Sequence, residues 1–309
     1  MLVCVALGGN ALLRRGEAMT VENQRANAAR AAIALAELAK TANLAIVHGN
    51  GPQVGLLALQ NAAYEAVAAY PLDVLGAESE GMIGYLIEQE LANALGPTAR
   101  LATLLTQVEV DPKDPAFAKP SKPIGPVYTE AAARQFAQER GWAVAPDGDK
   151  WRRVVASPRP QRIRSIDTLR LLIEAGVTVI CAGGGGIPAI RNADGRLQGI
   201  EAVIDKDLTA ALLARELKAD ALMMLTDVAA VFEGFGTPEQ RAIQSADAAS
   251  LRRMQFAAGS MGPKIEAAME FATLTGRPAF IGRLEDAARL VSGEAGTRID
   301  AASVGISYR

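Results

Sequence analysis

The stretch LVCVALGGN, residues 2–10, decides the class of fold, because six apolar or small residues run directly into a pair of glycines. Such a run is too short for a buried helix and predicts a strand, Leu2–Leu7, that is buried on both faces. The same pattern, an apolar run followed by a turn or a polar residue, returns along the chain. It occurs at Leu44–Val47, Leu101–Leu105, Val177–Cys181, Ala221–Leu225 and Pro278–Ile281.

Longer segments with helical patterns separate many of these strands. An alternation of fully apolar strands with helices is typical of a mainly parallel sheet that is covered by helices on both faces. The sequence therefore predicts an α/β protein. The predicted helices are Glu22–Lys40, with Thr20 as a candidate N-cap, Gly76–Leu95, Leu208–Leu217 and Pro263–Thr275.

The composition limits the classes of protein to which the chain can belong. It has 309 residues, of which 50% are hydrophobic, and a formal net charge of −2. This is enough apolar material for one large core, or for one core with an appended lobe, and it excludes overall disorder. The balance of acidic and basic residues argues against a dedicated nucleic-acid binder, which needs a basic excess.

We expect neither a membrane partner nor a secretion signal. The longest stretch without charged residues, 41–64, contains several polar residues, and MLVCVAL (1–7) is too short for a signal sequence. The two cysteines, Cys4 and Cys181, lie in apolar segments and are predicted to be buried thiols in a reducing compartment. The expected location is cytoplasmic.

The chain has a single histidine, His48, at the end of a predicted strand. A metal site with two histidines is therefore excluded, and any catalytic dyad or triad with histidine would need this residue. Two roles are open to it, a general base and a hydrogen-bonded side chain that shapes the adjoining loop. We favour the second.

Residues 112–160 depart from the alternation of strands and helices. They contain 8 of the 15 prolines, both tryptophans, Trp142 and Trp151, and the basic run KWRR at 150–153. A structureless loop of this length is uncommon in a compact domain, and the tryptophans need a surface on which to pack. We therefore predict a small protruding subdomain rather than a long irregular surface loop.

Four glycine clusters follow predicted strands or open predicted helices. In an open α/β sheet, ligands bind beyond the carboxyl ends of the strands, where glycine lets a main-chain N–H approach a ligand closely. Main-chain N–H groups at a helix start also suit phosphates. Neither the P-loop pattern nor the GxGxxG pattern is present, so the clusters indicate a phosphate cleft of another type. They are Gly8-Gly9-Asn10, Gly49-Asn50-Gly51-Pro52, Gly183 to Gly186 and Gly259-Ser260-Met261-Gly262.

Two lysines stand where a helix dipole disfavours a cation. Lys206 precedes the predicted helix Leu208–Leu217, and Lys264 lies in the first turn of another predicted helix. Each lysine alone is compatible with a solvated surface charge, and Asp205 or Asp207 alone with an ordinary cap. Together the lysines are better explained by a shared phosphate that both neutralise, with Asp207 holding them in place.

These residue types also narrow the reaction. A kinase that acts on a hydroxyl often needs a base, for which Asp207 is a candidate, whereas a carboxylate-type acceptor is already ionised. For such an acceptor, lysines, main-chain N–H groups and Mg²⁺ suffice to position two anions and to disperse charge. Lys122, in the proline-rich run KPSKPIGP (119–126), is a further candidate cation, and a plain surface lysine is equally compatible with that run.

With these residues identified, the sequence resembles the carbamate kinases of the amino acid kinase family. The matching stretches follow one another over nearly the whole chain, and several are more specific than any glycine pattern. They are ALGGNALL (6–13), ENQRAN (22–27), HGNGPQVGLLALQ (48–60), YPLDVLGAE (70–78), GMIGYLIEQEL (81–91), LLTQVEVDP (104–112), KPIGPVY (122–128), KWRRVV (150–155), CAGGGGIP (181–188), GIEAVIDKD (199–207), LTDVAAVF (225–232), AAGSMGPKIEAA (257–268) and GEAGTRI (293–299).

The resemblance implies a three-layer αβα sandwich around a mainly parallel sheet of about eight strands. It implies a single amino acid kinase domain over 1–309, with the protruding subdomain inserted at about 113–157. It further implies a homodimer and a reversible transfer of a phosphoryl group between ATP and carbamate, with Mg²⁺ and no metal ligands assigned to the protein. In metabolism this reaction usually runs from carbamoyl phosphate and ADP, in arginine or related nitrogen catabolism.

The resemblance also implies roles for individual residues. The lysines would bind the reacting groups, and the aspartate between them would organise the pair. The catalytic set would be Lys206, Asp207, Lys264 and Lys122. The nucleotide side would be formed by Thr226, Asp227 and Lys264. Phosphate and substrate would be cradled by Gly8, Gly9, Asn10, Gly49, Asn50, Gly51, Gly184 and Gly185.

One position separates the carbamate kinases from other relatives in the family. Many of those relatives have a lysine two residues before the first glycine pair, whereas this chain has Ala6. Carbamate kinases share this absence, and Lys206 is expected to replace the missing cation. Two rival functions remain, another phosphotransferase of this fold that acts on a small acid, and a non-catalytic sensor of nucleotide or carbamoyl phosphate. The presence of Lys206, Asp207 and Lys264 together argues against a sensor.

Overall fold

In the computed structural model, the apolar run Leu2–Leu7 forms the expected strand and lies inside a large sheet. The structure describes residues 1–14, 16–64, 69–257 and 259–309, and only the backbone of Asn10. The strands in these ranges are β1 (Leu2–Leu7), β2 (Asn43–His48), β3 (Leu101–Leu104), β4 (Gln107–Val110), β5 (Lys122–Tyr128), β6 (Val144–Asp147), β7 (Lys150–Val155), β8 (Pro160–Ile163), β9 (Thr178–Cys181), β10 (Ile187–Arg191), β11 (Leu197–Gly199), β12 (Ala221–Thr226), β13 (Phe232–Glu233), β14 (Arg241–Ala246), β15 (Ala279–Arg283), β16 (Thr297–Ile299) and β17 (Ile306–Tyr308). The α-helices in the same ranges are α1 (Val21–Ala39), α2 (Gly51–Ala63), α3 (Leu72–Leu95), α4 (Glu130–Arg140), α5 (Ile166–Glu174), α6 (Lys206–Glu216), α7 (Ala248–Leu251), α8 (Met261–Thr275) and α9 (Ala287–Val291).

The main sheet contains ten of the described strands, in the order β13-β14-β16-β15-β12-β1-β2-β9-β3, with β17 beside β14. Every pair from β15 through β12, β1, β2 and β9 to β3 is parallel. The eight strands from β14 to β3 correspond to the expected number. The short antiparallel strands β13 and β17 add two more where the chain folds back on β14.

Helices pack on both faces of this sheet, and the side chains of β1 show why. Cys4 and Ala6 lie in a buried cluster with residues of α5, α6 and α8. Val3, Val5 and Leu7 lie in a second cluster with residues of α1, α3 and α9. A strand between two helical layers needs apolar residues at every position, which is the pattern that the sequence shows. The predicted α/β architecture of three layers is confirmed.

The predicted helices are present with changes at their ends, and α3 begins at Leu72 rather than at Gly76. Thr20 caps α1 as predicted, because its hydroxyl accepts a hydrogen bond from the N–H of Asn23. The sequence patterns did not predict α2. It begins at Gly51-Pro52, where proline fits the first turn of a helix, although the run HGNGP reads as a turn.

Two smaller sheets stand apart from the main one, β11-β10-β4-β8 and β5-β7-β6. The second falls in the proline-rich segment, and α4 contacts its strands. The ring of Phe136 contacts those of Tyr128 and Trp142 there, and the guanidinium groups of Arg140 and Arg153 lie over the Trp142 ring. Trp142 therefore has a packing surface. The assignment of about 113–157 as one inserted subdomain stays a prediction.

The β5-β7-β6 sheet meets α2 at a point where two backbones touch. A Cβ atom on Gly55 of α2 would overlap the backbone of Gly125 in β5. Gly125 itself has a φ of +71°, which disfavours residues other than glycine. Beside this contact, Val54, Ile124 and Val155 form part of a small buried cluster. The two glycines therefore set the distance between α2 and the strand that carries Lys122.

Two further findings concern the cysteines and the helices. Cys4 and Cys181 are both buried free thiols, as predicted. None of the helices in the described ranges has the length and apolar character that a membrane crossing requires.

We predict that Gly55→Ala will destabilise the protein although alanine is the better helix former. The added methyl group has no room against Gly125, and overpacking of this kind costs about 1–3 kcal/mol. Urea unfolding measures the change. The matched control is Gly76→Ala in α3, where a Cβ would meet no atom within 4 Å. The control should be neutral or gain up to about 1 kcal/mol. Equal effects at both positions would contradict the backbone contact.

Candidate active site

The carboxyl ends of β1, β2 and β12 bring the first two glycine clusters together. The N–H of Gly8 donates to the carbonyl of Leu225 over 2.9 Å, which joins the end of β1 to that of β12. A Cβ atom on Gly49 would lie 3.4 Å from the Cα of Gly9 and 3.5 Å from the Cδ of Lys206. Two loops that the sequence assigned to a phosphate cleft therefore meet beside one of the two predicted phosphate-binding lysines.

The second feature of the site is a pair of lysines on one carboxylate. Lys206 is the first residue of α6, and Lys264 lies in the first turn of α8. The Nζ of Lys206 lies 2.7 Å from Oδ1 of Asp207, and the Nζ of Lys264 lies 3.1 Å from Oδ2 of the same side chain. The Asp207 side chain is only 5% exposed. The structure thus brings together the three residues that the sequence grouped.

The charges of this cluster support one another. Burial alone would raise the pKa of Asp207, but the two lysine ammonium groups hold it below its ordinary value. Burial would lower the pKa of Lys206, but the carboxylates of Asp207 and Asp205 raise it. The pKa of Lys264 is lowered by burial and by the charge of Lys206. Asp207 is therefore ionised, and it stabilises the charge of Lys206 in a place with little water.

Lys122 reaches this cluster from β5. Its Nζ lies 2.5 Å from Oδ2 of Asp205, whose Oδ1 accepts the N–H groups of Asp207 and Leu208 at the start of α6. Burial would raise the pKa of Asp205, but Lys122 and Lys206 lower it. The cluster holds three lysines and two aspartates (3 − 2 = 1), so it carries one positive charge in excess. Such a cluster suits an anion.

Asp205 is a residue that the sequence analysis valued only as a cap. It does cap α6, but it also pairs with a lysine 83 positions earlier in the chain. No local pattern reveals a contact of that kind. The hypothesis that Lys122 is a plain surface lysine does not agree with this geometry, because its side chain is 27% exposed and ion-paired.

The third glycine cluster serves a different purpose from the first two. A Cβ on Gly184 would overlap the side-chain amide of Asn50, and one on Gly185 would lie 2.5 Å from the carbonyl oxygen of Ile204. By contrast, Cβ atoms on Gly9 and Gly51 would meet no atom within 4 Å. Gly9 and Gly51 are therefore open to a ligand. Gly184 packs against Asn50 and Gly185 against Ile204, and a direct phosphate contact for them stays a prediction.

His48 lies inside the protein and not at the surface of the cleft. Its Nδ1 lies 3.0 Å from the carbonyl oxygen of Gly49, which fixes the proton on Nδ1, and Nε2 has no hydrogen-bond partner among the described residues. Burial lowers the pKa of His48 to about 4, although the main-chain groups of Gly49 and Glu80 oppose the shift. A Cβ on Gly183 would overlap the imidazole. The ring is neutral and shapes the loop, in agreement with the favoured interpretation.

The remaining predicted residues lie at the end of β12 and in the first loop. Thr226 is the last residue of β12, and its Oγ1 donates to Oδ1 of Asp227 over 3.1 Å. The Cα of Thr226 would lie 3.8 Å from a Cβ on Gly8, so the pair adjoins the first glycine cluster. The side chain of Asn10 lies outside the described part of the structure, and its predicted role stays a prediction.

Sequence reasoning missed two polar residues of α3 that hold the site from behind. Ser79 accepts a hydrogen bond of 2.8 Å from the side-chain amide of Asn50. Glu80 is buried, and its carboxyl group accepts from the N–H groups of Gly183 and Thr106. A glutamate in the middle of an amphipathic helix ordinarily lies at the surface. Its burial could not be anticipated from the local pattern.

The donor set fits a metal that arrives with a nucleotide better than one held by the protein. In the described ranges, no three His, Cys, Asp or Glu side chains are grouped so that they could hold a metal ion. Mg²⁺ in kinases commonly binds nucleotide phosphates and waters with one or two carboxylates. Both carboxylate oxygens of Asp207 already accept from lysines. What the site offers directly is positive charge and open glycine backbone for phosphate groups.

Comparison with known proteins agrees with this geometry. The profile of the amino acid kinase family matches residues 1–283. Carbamate kinase from Haemophilus influenzae is 56% identical over 308 residues, which cover 100% of this chain and 99% of that protein. A solved structure of carbamate kinase from Giardia lamblia bound to citric acid is 41% identical, with a TM-score of 0.91 over 97% of this chain and 98% of that one. A second Giardia structure, bound to AMP-PNP, gives 0.88 at 41% identity with the same coverage. The chain therefore belongs to the amino acid kinase family and, within it, to the carbamate kinases.

Proposed function

We propose that this kinase transfers a phosphoryl group reversibly between ATP and carbamate with the aid of Mg²⁺. We further propose that it works mainly from carbamoyl phosphate and ADP toward ATP and carbamate, which breaks down to ammonia and CO₂, in arginine or related nitrogen catabolism. One observation carries the proposal. Lys206 and Lys264 converge on the buried carboxylate of Asp207, beside glycines whose backbone is open.

The cluster matches what phosphoryl transfer requires. The transferring group spreads negative charge over its oxygens, and enzymes stabilise it mainly by positioning and by fixed positive charge. Asp207 holds the ammonium groups of Lys206 and Lys264 in place, so little reorganisation is needed during the reaction. Mg²⁺, bound by the phosphates of the nucleotide, would neutralise further charge. The glycine backbone of the first two loops would orient the phosphate groups.

The geometry of the site favours one kind of phosphoryl acceptor over another. A hydroxyl acceptor often needs a general base. Asp207 is already paired with two ammonium groups, which lower its pKa and weaken it as a base. His48 is buried, and its Nδ1 is hydrogen-bonded to the carbonyl oxygen of Gly49. Carbamate is ionised at neutral pH and needs no base, so the site favours an acceptor of the carboxylate type.

Lys122 supplies the contact for the acceptor in this proposal. It belongs to the β5-β7-β6 sheet, whereas the phosphate loops belong to the main sheet. Its ammonium group is held by Asp205 at the start of α6, next to Lys206. Carbamate is a very small anion with few atoms for recognition. A cation that comes from a separate sheet would both hold it and cover it against water.

A homodimer is the proposed assembly, with α3 and the sheet edge at β3 as the contact face. β3 is the last strand of the main sheet, and such an edge has unpaired main-chain groups. Tyr85 of α3 and Leu105 after β3 are each 55% exposed, and the Oγ1 of Thr103 is buried with no partner among the described residues. A second copy would cover this apolar edge. The proposed location is the cytoplasm, which suits two buried free thiols.

The direct test is ATP formation from carbamoyl phosphate and ADP by the purified protein with Mg²⁺. A panel of other acyl phosphates at the same concentration identifies the preferred acyl phosphate, and with it the acid that accepts the phosphoryl group in the reverse direction. Preference for another acyl phosphate would favour the rival phosphotransferase. Binding of ADP and carbamoyl phosphate without any ATP formation would favour the sensor.

Lys206→Ala should lower kcat by at least about 10²–10³-fold, the effect of removing one fixed group that stabilises transition-state charge. The fold should persist, because Lys264 still compensates the charge of Asp207. Steady-state kinetics and circular dichroism measure the two effects, with the exposed Lys40→Ala as control. A kcat within tenfold of the parent enzyme would remove Lys206 from the mechanism. Lys264→Ala should show the same loss and also weaken binding of ADP.

Lys122→Ala should damage the use of carbamoyl phosphate far more than the binding of ADP. The loss is confined to the acceptor, because Thr226, Asp227 and Lys264 remain for the nucleotide. Calorimetric titration with ADP, beside kinetics with carbamoyl phosphate, separates the two. Lys119→Ala, an exposed lysine three residues earlier, is the matched control. An equal loss on both sides, or none on either, would refute the role in acceptor binding.

His48→Asn should remain active, because asparagine can still donate to the carbonyl of Gly49 and the reaction needs no base. The pH–rate profile of the parent enzyme should show no limb near 6.5 that the variant lacks. The folded-state pKa of His48 lies below its unfolded value, at about 4. Its stabilisation is therefore complete above about pH 6.5 and is lost as the pH falls toward 4. Thermal unfolding between these pH values should show a smaller dependence on pH in His48→Asn. A folded but inactive variant that still binds both substrates would contradict the base-free mechanism.

Tyr85→Glu should shift the protein from dimer to monomer in sedimentation velocity, because a charge at an apolar interface is not compensated. Leu171→Glu on α5 is the control, since Leu171 is 67% exposed and lies on a helix that packs on the other face of the main sheet. Dissociation by the control alone, or a monomeric parent protein, would contradict the proposed face.

A further inference from the structure

A buried carboxyl group behind the cleft has no part in the mechanism described so far. Glu80 lies in the middle of α3 and is 1% exposed. Its Oε1 accepts the N–H of Gly183 over 2.8 Å, and its Oε2 accepts the N–H of Thr106 over 3.2 Å. Both partners are main-chain groups of loops that follow strands of the main sheet, β9 and β3. The side chain therefore joins two strand ends to one helix.

The segment that Glu80 holds is a turn with unusual backbone angles. Ala182 has a φ of +51°, and each of the next residues from Gly184 to Gly186 also has a positive φ. A non-glycine residue in this region is strained and stays there only when its surroundings hold it. Thr106 assists, because its Oγ1 accepts the N–H of Ala182 over 3.0 Å. Glu80 and Thr106 together fix the point at which the turn begins.

The 182–186 turn supports the His48–Asn50 loop. Cβ atoms on Gly183 and Gly184 would overlap the side chains of His48 and Asn50, so the two loops are in direct contact. Asn50 also donates to Ser79, the neighbour of Glu80 in α3. Ser79 and Glu80, which are consecutive in α3, thus hold the His48–Asn50 loop and the 182–186 turn respectively. A shift of the turn would move Asn50, which adjoins the open backbone of Gly51.

We propose that Glu80 is a positioning residue of the acceptor side of the site, and that its carboxyl group fixes the 182–186 turn on which the His48–Asn50 loop rests. This inference depends on the proposed function only for the choice of substrate in the kinetic test. Glu80 touches none of the three lysines of the cluster in any described contact, so it acts through the loops. Errors of about 1 Å in positioning can cost about 10²-fold in rate, which sets the size of the expected effect.

Glu80 works through both of its carboxyl oxygens, each of which accepts a main-chain N–H, and no ion pair to it is found among the described residues. The titratable groups that adjoin it in the described ranges are His48 and Cys181, and neither provides a cation at neutral pH. Burial raises the pKa of Glu80 to about 8, against the opposing effect of the N–H groups of Thr106 and Gly183. A glutamine has the same shape but keeps only one acceptor oxygen, and its NH₂ group would face the second N–H donor, so it should preserve one of the two hydrogen bonds and lose the other.

The test compares Glu80→Ala, Glu80→Gln and Leu91→Ala in the full-length protein. Leu91 is buried in the same helix, and its loss creates a cavity away from the loops. Kinetics with carbamoyl phosphate and ADP, at a temperature at which every variant is folded, give kcat and KM. Hydrogen–deuterium exchange of the peptide that contains 182–186 reports the turn directly, independent of activity.

Glu80→Ala should lower kcat/KM for carbamoyl phosphate about 10²-fold, leave ADP binding within a few-fold, and speed exchange at 182–186. Glu80→Gln should lose less of its kcat/KM than Glu80→Ala, and Leu91→Ala should match the parent protein in both readouts. Unchanged exchange in Glu80→Ala, or a loss that Leu91→Ala shares, would overturn the proposal. If the parent protein forms no ATP from carbamoyl phosphate, the proposed function fails, and the exchange data alone decide the role of Glu80.

Discussion

The contact of two lysine ammonium groups with the single carboxylate of Asp207 is the constraint on which the site depends. Lys206 and Lys264 start from different helices, α6 and α8, which pack on the same face of the main sheet. Two cations this close repel each other, and burial makes each charge costly unless an anion compensates it. Asp207 supplies that anion and uses one oxygen for each lysine. Asp207 therefore does two things at once. It allows the starts of α6 and α8 to approach each other, and it keeps the two lysines charged in the cleft.

The same reasoning extends to the strand that carries Lys122. Asp205 compensates this third cation and also caps α6, whose first turn carries Asp207. The start of a single helix therefore organises all three lysines. The distance at which Lys122 arrives is set elsewhere, by the backbone contact between Gly55 and Gly125. The packing of Gly55 against Gly125 thus influences the position of the Lys122 ammonium group in the cleft. The geometry leaves one positive charge in excess near glycine backbone, which suits a phosphate but not a neutral ligand.

Local physics explains which features could be predicted from the sequence. Strands buried on both faces have apolar residues at every position, so β1, β2, β9 and β12 were identified almost to the residue. Lys206 and Lys264 were identified because a cation at a helix start conflicts with the helix dipole. The pair of Lys122 with Asp205 and the bonds of Glu80 to Gly183 join residues 83 and 103 positions apart. Such contacts form only when the sheet is assembled, and they leave no periodic trace in the chain.

The commitment of Asp207 and His48 to other groups gives the remaining details of the site a common explanation. Asp207 is committed to two lysines, and the one histidine is buried with its proton on the nitrogen that faces Gly49. Chemistry that cannot rely on proton transfer by a side chain must rely on where the reacting atoms are held. In the first two glycine clusters, Gly9 and Gly51 give open backbone, whereas Gly184 of the third cluster packs closely against Asn50. Gly9 and Gly51 thus offer backbone to the ligand, and Gly184 offers backbone to the loop that carries Asn50. For a substrate as small as carbamate, a rigid backbone can provide this accuracy, whereas long flexible side chains would lose it to their own freedom.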